Sequence, residues 1–304
     1  MGTPSIACHI LQALNELPFI ELVLVVSQPV RNKKKNSPPV EKLATTLKLN
    51  IEQPDKVIEI YDVIAELKPD VIITCAYGQF LPKKIINLAK NNILNFHASL
   101  LPKYRGGAPI HKAIINGETK TGISIMQTVA KMDAGDVYVQ DSIIITDDDT
   151  NLSLNDKLGN LGYDMCQKYL QDILEHKIQP VPQDIKMVTY AYNIVREEEK
   201  IDWNKSVIEI HNLIRGLYDN PIAYTKINDQ IIYKIHQARV YSHEVLSEIK
   251  NGTIYKIIKE GILVKCVDGL LLIIASQREG KKKVLCSNYF KNENNEIKIN
   301  NCFN

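Results

Sequence analysis

The sequence predicts an α/β protein in two parts: a doubly wound, Rossmann-like N-terminal domain, then a small C-terminal β-barrel of OB-like (oligonucleotide-binding) style. Three observations predict it. Near-continuous β-branched runs alternate with helix-length segments in the first half, as in parallel sheets buried on both faces. A helical stripe, Trp203, Val207, Ile210, Ile214 and Leu217, opens the second half. About five strand-like runs separated by Gly-containing turns then follow it, the pattern of a small barrel.

In chain order, the strands of the first half are Ile20–Gln28, Asp70–Gly78 and Asn92–Ser99. Between them lie the helical segments "SPPVEKLATTLKL", with Pro38 and Pro39 at its start where the first turn tolerates proline, and "YDVIAELKPD". "TGISIMQTV" and "DVYVQDSIII" read as an antiparallel pair joined by the polar turn at Asp133-Ala134-Gly135. A long helix is expected from Leu152 to His176, with Leu154, Leu158, Leu161 and Met165 on one face. The stretch from Gln179 to Trp203 has two prolines, a charge run and no sustained period, so it reads as a linker. The later strands are "AYTKI", "QIIYKIHQARV", "GTIYKII", "GILVKCV" and "LLLIIASQ".

At 304 residues the chain can hold two domains of ordinary size, and 45% apolar with 24% charged residues excludes a disordered or fibrous protein. A net charge of +2 means that any affinity for a polyanion must come from local clusters, such as Arg31 to Lys35 and Lys281 to Lys283. The six cysteines form no CxxC pair and have no His at metal spacing, which points to free thiols in a reducing compartment and to no metal. No signal peptide is evident, and no apolar run approaches the roughly 20 residues of a membrane span. A cytoplasmic protein is expected.

The chemistry concentrates in "LNFHASLLPKYRGGAPI". On a strand, i and i+2 share a face, so Asn95 and His97 point together near the carboxyl end of a parallel strand. Open α/β sheets place their ligand crevice there. An amide donor can hold a developing oxyanion and an imidazole can move a proton, as acyl chemistry requires. Leu100-Leu101-Pro102 closes the strand in a rigid turn, and Gly106-Gly107 lets backbone approach a ligand. Asp133 sits in a turn where a carboxylate could face the same crevice. By itself an Asn-His pair is more often a satisfied polar contact than a catalytic one. The surrounding motifs decide the matter.

"NFHASLLPKYRGGAP" followed by "GISIMQTVAKMDAGDV" resembles the folate-dependent formyltransferases, above all those acting on an aminoacylated tRNA. "GTPSIA", "SQP" with its basic loop, "AYGQFLP", "KIDWNKS", "IRGL" and "REGKKK" extend the resemblance over nearly the whole chain. It implies a formyltransferase catalytic domain over residues 1–188, a linker over 189–202 and an OB-like tRNA-binding domain over 203–304. It implies transfer of the formyl group of 10-formyltetrahydrofolate to the α-amino group of methionine on initiator tRNA. Asn95, His97 and Asp133, the last 36 residues past the His, match the catalytic triad. Ser99, Leu100, Leu101 and Pro102 match the folate-contacting motif, and Arg31, Lys33, Lys34 and Lys35 match a basic insertion that contacts the acceptor arm. The co-substrate is the folate, with no metal, and a monomer is the default.

Three departures from the family pattern accompany these expectations. The family normally carries an apolar strand before the glycine of "GTPS", so a segment upstream of Met1 is expected. Asp219-Asn220-Pro221-Ile222 stands where the family usually shows Pro-Trp-Pro-Gly. Asn193 stands where a Lys is common. Rival formyltransferases acting on small amines share the triad; the C-terminal strands and the basic loop set this chain apart from them.

Overall fold

The computed structural model describes residues 1–30, 37–89, 93–227, 230–290 and 297–304. The expected tRNA contacts Arg31, Lys33, Lys34 and Lys35 lie outside the described residues. The chain divides into two compact units, one of residues 1–109, 119–145 and 153–192, the other of 110–118, 146–152 and 193–304.

The first unit opens with α1 (Ser5–Glu16), β1 (Val25–Val26), α2 (Pro39–Thr46) and β2 (Ile51–Glu52). Then come α3 (Tyr61–Leu67), β3 (Ile72–Thr74), α4 (Lys83–Ile86) and β4 (Ile93–His97). β3 and β4 pair in parallel, and the antiparallel hairpin of β5 (Lys120–Gln127) and β6 (Val137–Ile144) extends the sheet in the order β3-β4-β5-β6. β1 and β2 form a separate parallel pair. The alternation of half-buried and exposed positions along the second half of β6 is that of a strand with one face turned to solvent.

The strand expected over Ile20–Gln28 is reduced to Val25–Val26, because a strand exists only where it has a ladder partner. Ile51 and Glu52 of β2 supply that partner, and Met1 and Gly2 add bonds on the other side. The Gly2 N–H donates to Val26 O (2.9 Å), the Cys75 N–H donates to Met1 O (3.0 Å), and Gly2 forms a parallel bridge with Cys75. Beside them lies a cavity of about 520 Å³, lined among others by Ile10, Leu14, Leu22, Leu24, Ile64 and Ile72.

The long helix α6 (Asn151–Leu174) buries Leu154, Leu158, Met165, Cys166, Leu170 and Ile173. The face is rotated from the expected one at a single position. Leu161 is only half-buried, and Gly162 takes the buried place because a Cβ there would stand 2.6 Å from Ile10 Cδ1. Any side chain there would require the Ile10 side chain to shift.

The second unit contains α5 (Pro109–Ile115) and α7 (Val207–Gly216). Ser206 caps α7 reciprocally with Glu209, and Val207, Ile210 and Ile214 join Trp203 and Leu217 in its core, as the helical stripe predicts. Its strands are β7 (Tyr224–Ile227), β8 (Ile231–Ser242), β9 (Ile254–Ile258), β10 (Gly261–Cys266), β11 (Gly269–Arg278) and β12 (Val284–Leu285), followed by α8 (Ser287–Phe290). They pair in the order β7-β8-β11-β10-β9, with β12 on β11. Trp203 stacks on Phe303 at 5.7 Å and donates Nε1–H to Thr225 Oγ1 (2.9 Å), so its one polar atom is satisfied in the core.

All six cysteines are free. Burial pushes the thiols of Cys75 and Cys266 up to about 12 and that of Cys286 to about 11, and raises Cys166 as well. A raised pKa leaves almost no thiolate, the reactive form. Burial raises the Cys8 thiol too, but Cys8 and Cys302 are only half-buried, so alkylation of the native protein at pH 8 is expected to be confined to these two by access. All six should react in denaturant, and mass spectrometry of labelled peptides checks this. Rapid native labelling of Cys75 would contradict the packing described.

Candidate active site

The site is built on the carboxyl end of β4. Thr74 of β3 stands in register with Asn95, and His97 in register with Ser124 of β5. The Thr74 hydroxyl donates to Asn95 Oδ1 (2.9 Å). With its oxygen engaged, the Asn95 amide offers its Nδ2 hydrogens as the donors a ligand can use. Thr74 is the one polar residue in the run Val71–Cys75, a signal sequence reasoning could have used and did not.

His97 is 6% exposed, and its Nε2 lies 2.9 Å from Tyr104 O. A carbonyl only accepts, so this bond places a proton on Nε2 and leaves Nδ1 as the nitrogen that exchanges one. Nδ1 lies 3.7 Å from Asp133 Oδ2. The triad expected from the sequence is thus brought together from two segments: the end of β4, and the turn between β5 and β6.

Asp133 has φ of +48°, a left-handed conformation uncommon for a residue with a side chain. Two anchors hold it. The Gly106 N–H donates to Asp133 Oδ2 (2.8 Å). Gln183 Nε2 donates to the main-chain oxygens of Asp133 (2.9 Å) and Gly135 (2.7 Å). The Gln183 Oε1 accepts in turn from Arg105 Nε (3.1 Å) and Nη2 (2.8 Å), which anchors the guanidinium of a residue only 3% exposed. Gly106, at φ +125°, could not be another residue, since a Cβ would stand 2.6 Å from Ala191 O.

Residues 189–191 run alongside this loop as a strap. The Arg105 N–H donates to Thr189 O (2.9 Å), the Ala191 N–H to Arg105 O (2.7 Å) and the Ala108 N–H to Ala191 O (3.0 Å). The segment read from sequence as linker is, at this point, part of the wall of the site. Gln183, Thr189 and Ala191 carry no local motif, and sequence reasoning missed them.

The expected folate motif is divided in two. Ser99 is 1% exposed and its hydroxyl donates to Lys103 O (2.7 Å), while Leu101 is 5% exposed; both face inward. Ser124 ties the turn from below, donating to Ser99 O (2.6 Å) and accepting from the Leu101 N–H (3.1 Å). Leu100 and Pro102 are half-buried and remain accessible to a ligand. Beside them, at the carboxyl end of β3, Ala76 and Gly78 take positive φ, and the Tyr77 carbonyl accepts from Thr3 Oγ1 (3.1 Å) and Gln28 Nε2 (2.9 Å). Among the described residues no group of three or more His, Cys, Asp or Glu could hold a metal ion, and no helix is long and apolar enough to cross a membrane.

The arrangement comprises an oriented amide donor, a proton-carrying imidazole with a carboxylate at its free nitrogen, and a fixed turn beside them. That is a site for attack on a carbonyl. Comparison with known proteins agrees. Residues 1–170 match the Formyl transferase family and residues 193–294 match Formyl transferase, C-terminal domain. A methionyl-tRNA formyltransferase of Mycoplasma capricolum is 50% identical over 99% of this chain and 96% of its own length. That of Staphylococcus aureus strain MW2 is 40% identical over 98% and 96%. Among solved structures, a sugar 3N-formyl transferase crystallised with dTDP and 5-N-formyl-THF aligns with a TM-score of 0.67 at 21% identity, covering 92% of this chain and 97% of that one. The methionyl-tRNA formyltransferase from Clostridium thermocellum aligns at 0.53 and 18%, covering 72% and 93%.

Proposed function

This chain belongs to the formyl transferase family, among the methionyl-tRNA formyltransferases, and from that premise we propose that it moves the formyl group of 10-formyltetrahydrofolate onto the α-amino group of methionyl initiator tRNA, the step that readies that tRNA for translation initiation. The observation that carries the reading is the convergence of Asn95, His97 and Asp133 at the end of β4, with His97 Nδ1 3.7 Å from Asp133.

The folate supplies an activated formyl carbon. An α-amino group with a pKa of roughly 7.7–8.0 is substantially neutral near pH 7.5, so the attacking nitrogen needs little activation. Asn95 donates to the formyl oxygen as negative charge develops there. His97 Nδ1 takes the proton lost by the amine and delivers it to the folate nitrogen as the bond between that nitrogen and the formyl carbon breaks, and the Asp133 carboxylate balances the imidazolium in between. The Tyr104 carbonyl fixes the ring so that Nδ1, not Nε2, does this work. Leu100 and Pro102 lie against the folate, and Ser99 and Leu101 act from beneath by holding the turn. Arg31, Lys33, Lys34 and Lys35 take acceptor-arm phosphates.

We further propose that the second unit is an OB-like barrel closed by the C-terminal residues. The Phe303 N–H donates to Gly252 O (2.9 Å) just before β9, and the Asn304 N–H donates to Lys226 O (2.9 Å) in β7, so one short segment touches both ends of the strand path. The division into a catalytic domain over 1–188, a linker and a tRNA-binding domain over 203–304, acting as a cytoplasmic monomer, belongs to the same proposal.

The test is a competition of formyl acceptors with the folate held constant: methionyl initiator tRNA, an amino sugar nucleotide and water. Transfer to the tRNA at least 100-fold faster than to the others supports the reading; transfer chiefly to the sugar amine sinks it.

Gln183 gives a second check on the geometry. Gln183→Leu removes both donations that hold the Asp133 turn and the acceptor that anchors Arg105. Misplacing a catalytic group by about 1 Å costs on the order of 10²-fold, so kcat is expected to fall by that order while KM for the folate changes little. Steady-state kinetics decide it; an unchanged kcat would show that the turn holds itself.

A further inference from the structure

We propose that Tyr190 and Tyr192 form a stacking platform for an unpaired base at the 3′ end of the tRNA substrate. The inference rests on the tRNA reading above and adds a ligand site to it.

The two rings are parallel to within 3°, with centroids 5.5 Å apart, and they are 45% and 64% exposed. Ala191 between them is fully buried, so the segment alternates as an extended strand does, with both tyrosines on the outward face. Exposed aromatic rings on a loose segment would be unremarkable, but this segment is not loose. It is the strap of the active site, held by the bonds of Thr189 and Ala191 to Arg105 and Ala108 and by Tyr104 N–H donating to Thr189 Oγ1 (2.9 Å). Tyr190 itself bridges to Arg105, the residue after the Tyr104 whose carbonyl holds His97.

Position and chemistry then point to one class of ligand. In an aminoacylated tRNA the reacting amine is joined through an ester to the last ribose, so the terminal bases must lie beside any site that acts on that amine. They are single-stranded there and carry exposed π-faces. A flat aromatic pair next to the catalytic loop meets that face, and base–aromatic stacking tolerates any base identity. The rings lose little freedom on binding because the backbone beneath them is already fixed and each has only two side-chain torsions.

The experiment measures formylation of methionyl-tRNA by wild type, Tyr190→Ala, Tyr192→Ala and Tyr192→Phe, with separate KM and kcat for tRNA and folate. The expected result for each Ala variant is a rise of about tenfold in KM for tRNA. In both, kcat and the folate KM should stay within about twofold, and Phe should restore the wild-type value. A tRNA KM that does not move in either Ala variant overturns the platform, as does a fall in kcat alone.

Tyr192→Trp adds a direct readout, since the natural Trp203 is buried. Titration with a short single-stranded oligonucleotide ending in a 3′-adenosine should quench the new indole, and no quenching at saturation overturns the proposal. If wild type itself formylates a small amine but not tRNA, it is the acceptor reading that fails, and the quenching titration still decides whether the rings bind a base.

Discussion

Asn95→Ala is expected to slow formyl transfer by on the order of 10²–10³ at saturating substrates, with both KM values nearly unchanged. The reason is that the amide acts on charge that exists only as the reaction proceeds. A ground-state formyl oxygen gains little from the donor, whereas a developing oxyanion in a water-poor crevice gains much. The Thr74 hydroxyl that orients Asn95 stays in place, so the loss reports the donor itself. Asp133→Asn should cost a similar or larger factor, on the order of 10²–10⁴, by a different route. An amide oxygen can still accept from the Gly106 N–H, so the turn keeps its anchor while the charge facing His97 Nδ1 is lost. Single-turnover kinetics with labelled folate separate these effects from binding. A rise in KM with unchanged kcat in either variant would mean that these residues hold substrate and do not act on it.

The second large effect concerns the basic loop. Changing Arg31, Lys33, Lys34 and Lys35 together to Ala is expected to weaken tRNA binding by on the order of 10²–10³ near 0.1 M salt. Each phosphate contact releases condensed counterions, so the slope of log affinity against log salt should become shallower by about 3 to 4. kcat at saturating tRNA should hold, because the reading gives the chemical roles to Asn95, His97 and Asp133 and only phosphate binding to the loop. Filter-binding or fluorescence titrations at several salt concentrations give the slope. An unaltered slope would remove the loop from the interface.

Much of the candidate site's geometry was legible because it is local. The spacing of Asn95 and His97 follows from the two-residue period of a strand. The polar turn at Asp133 announces itself by composition, and the α7 stripe from Trp203 to Leu217 by its helical period. What escaped is long-range in the chain. Gln183 reaches Asp133 across 50 residues and Arg105 across 78, and no periodicity records such a contact. Ser99 shows another limit. A motif names residues, but only the fold shows that this hydroxyl is spent on Lys103 O while Leu100 and Pro102 remain available. The strand predicted over Ile20–Gln28 has the right composition and fails for want of a neighbour along most of its length, since pairing belongs to the sheet and not to the segment. The Tyr190–Tyr192 pair lay in a stretch that looked like linker because its order comes from the Arg105 loop, not from its own sequence.

The most direct test is transfer of labelled formyl from 10-formyltetrahydrofolate to methionyl initiator tRNA, at low and high salt, by wild type and by Asn95→Ala. The account predicts formylmethionine that forms rapidly at low salt and declines steeply as salt rises, with the variant slower by on the order of 10²–10³ at either concentration. Equal rates for the two proteins would contradict it, as would release of free formate with no label on the tRNA.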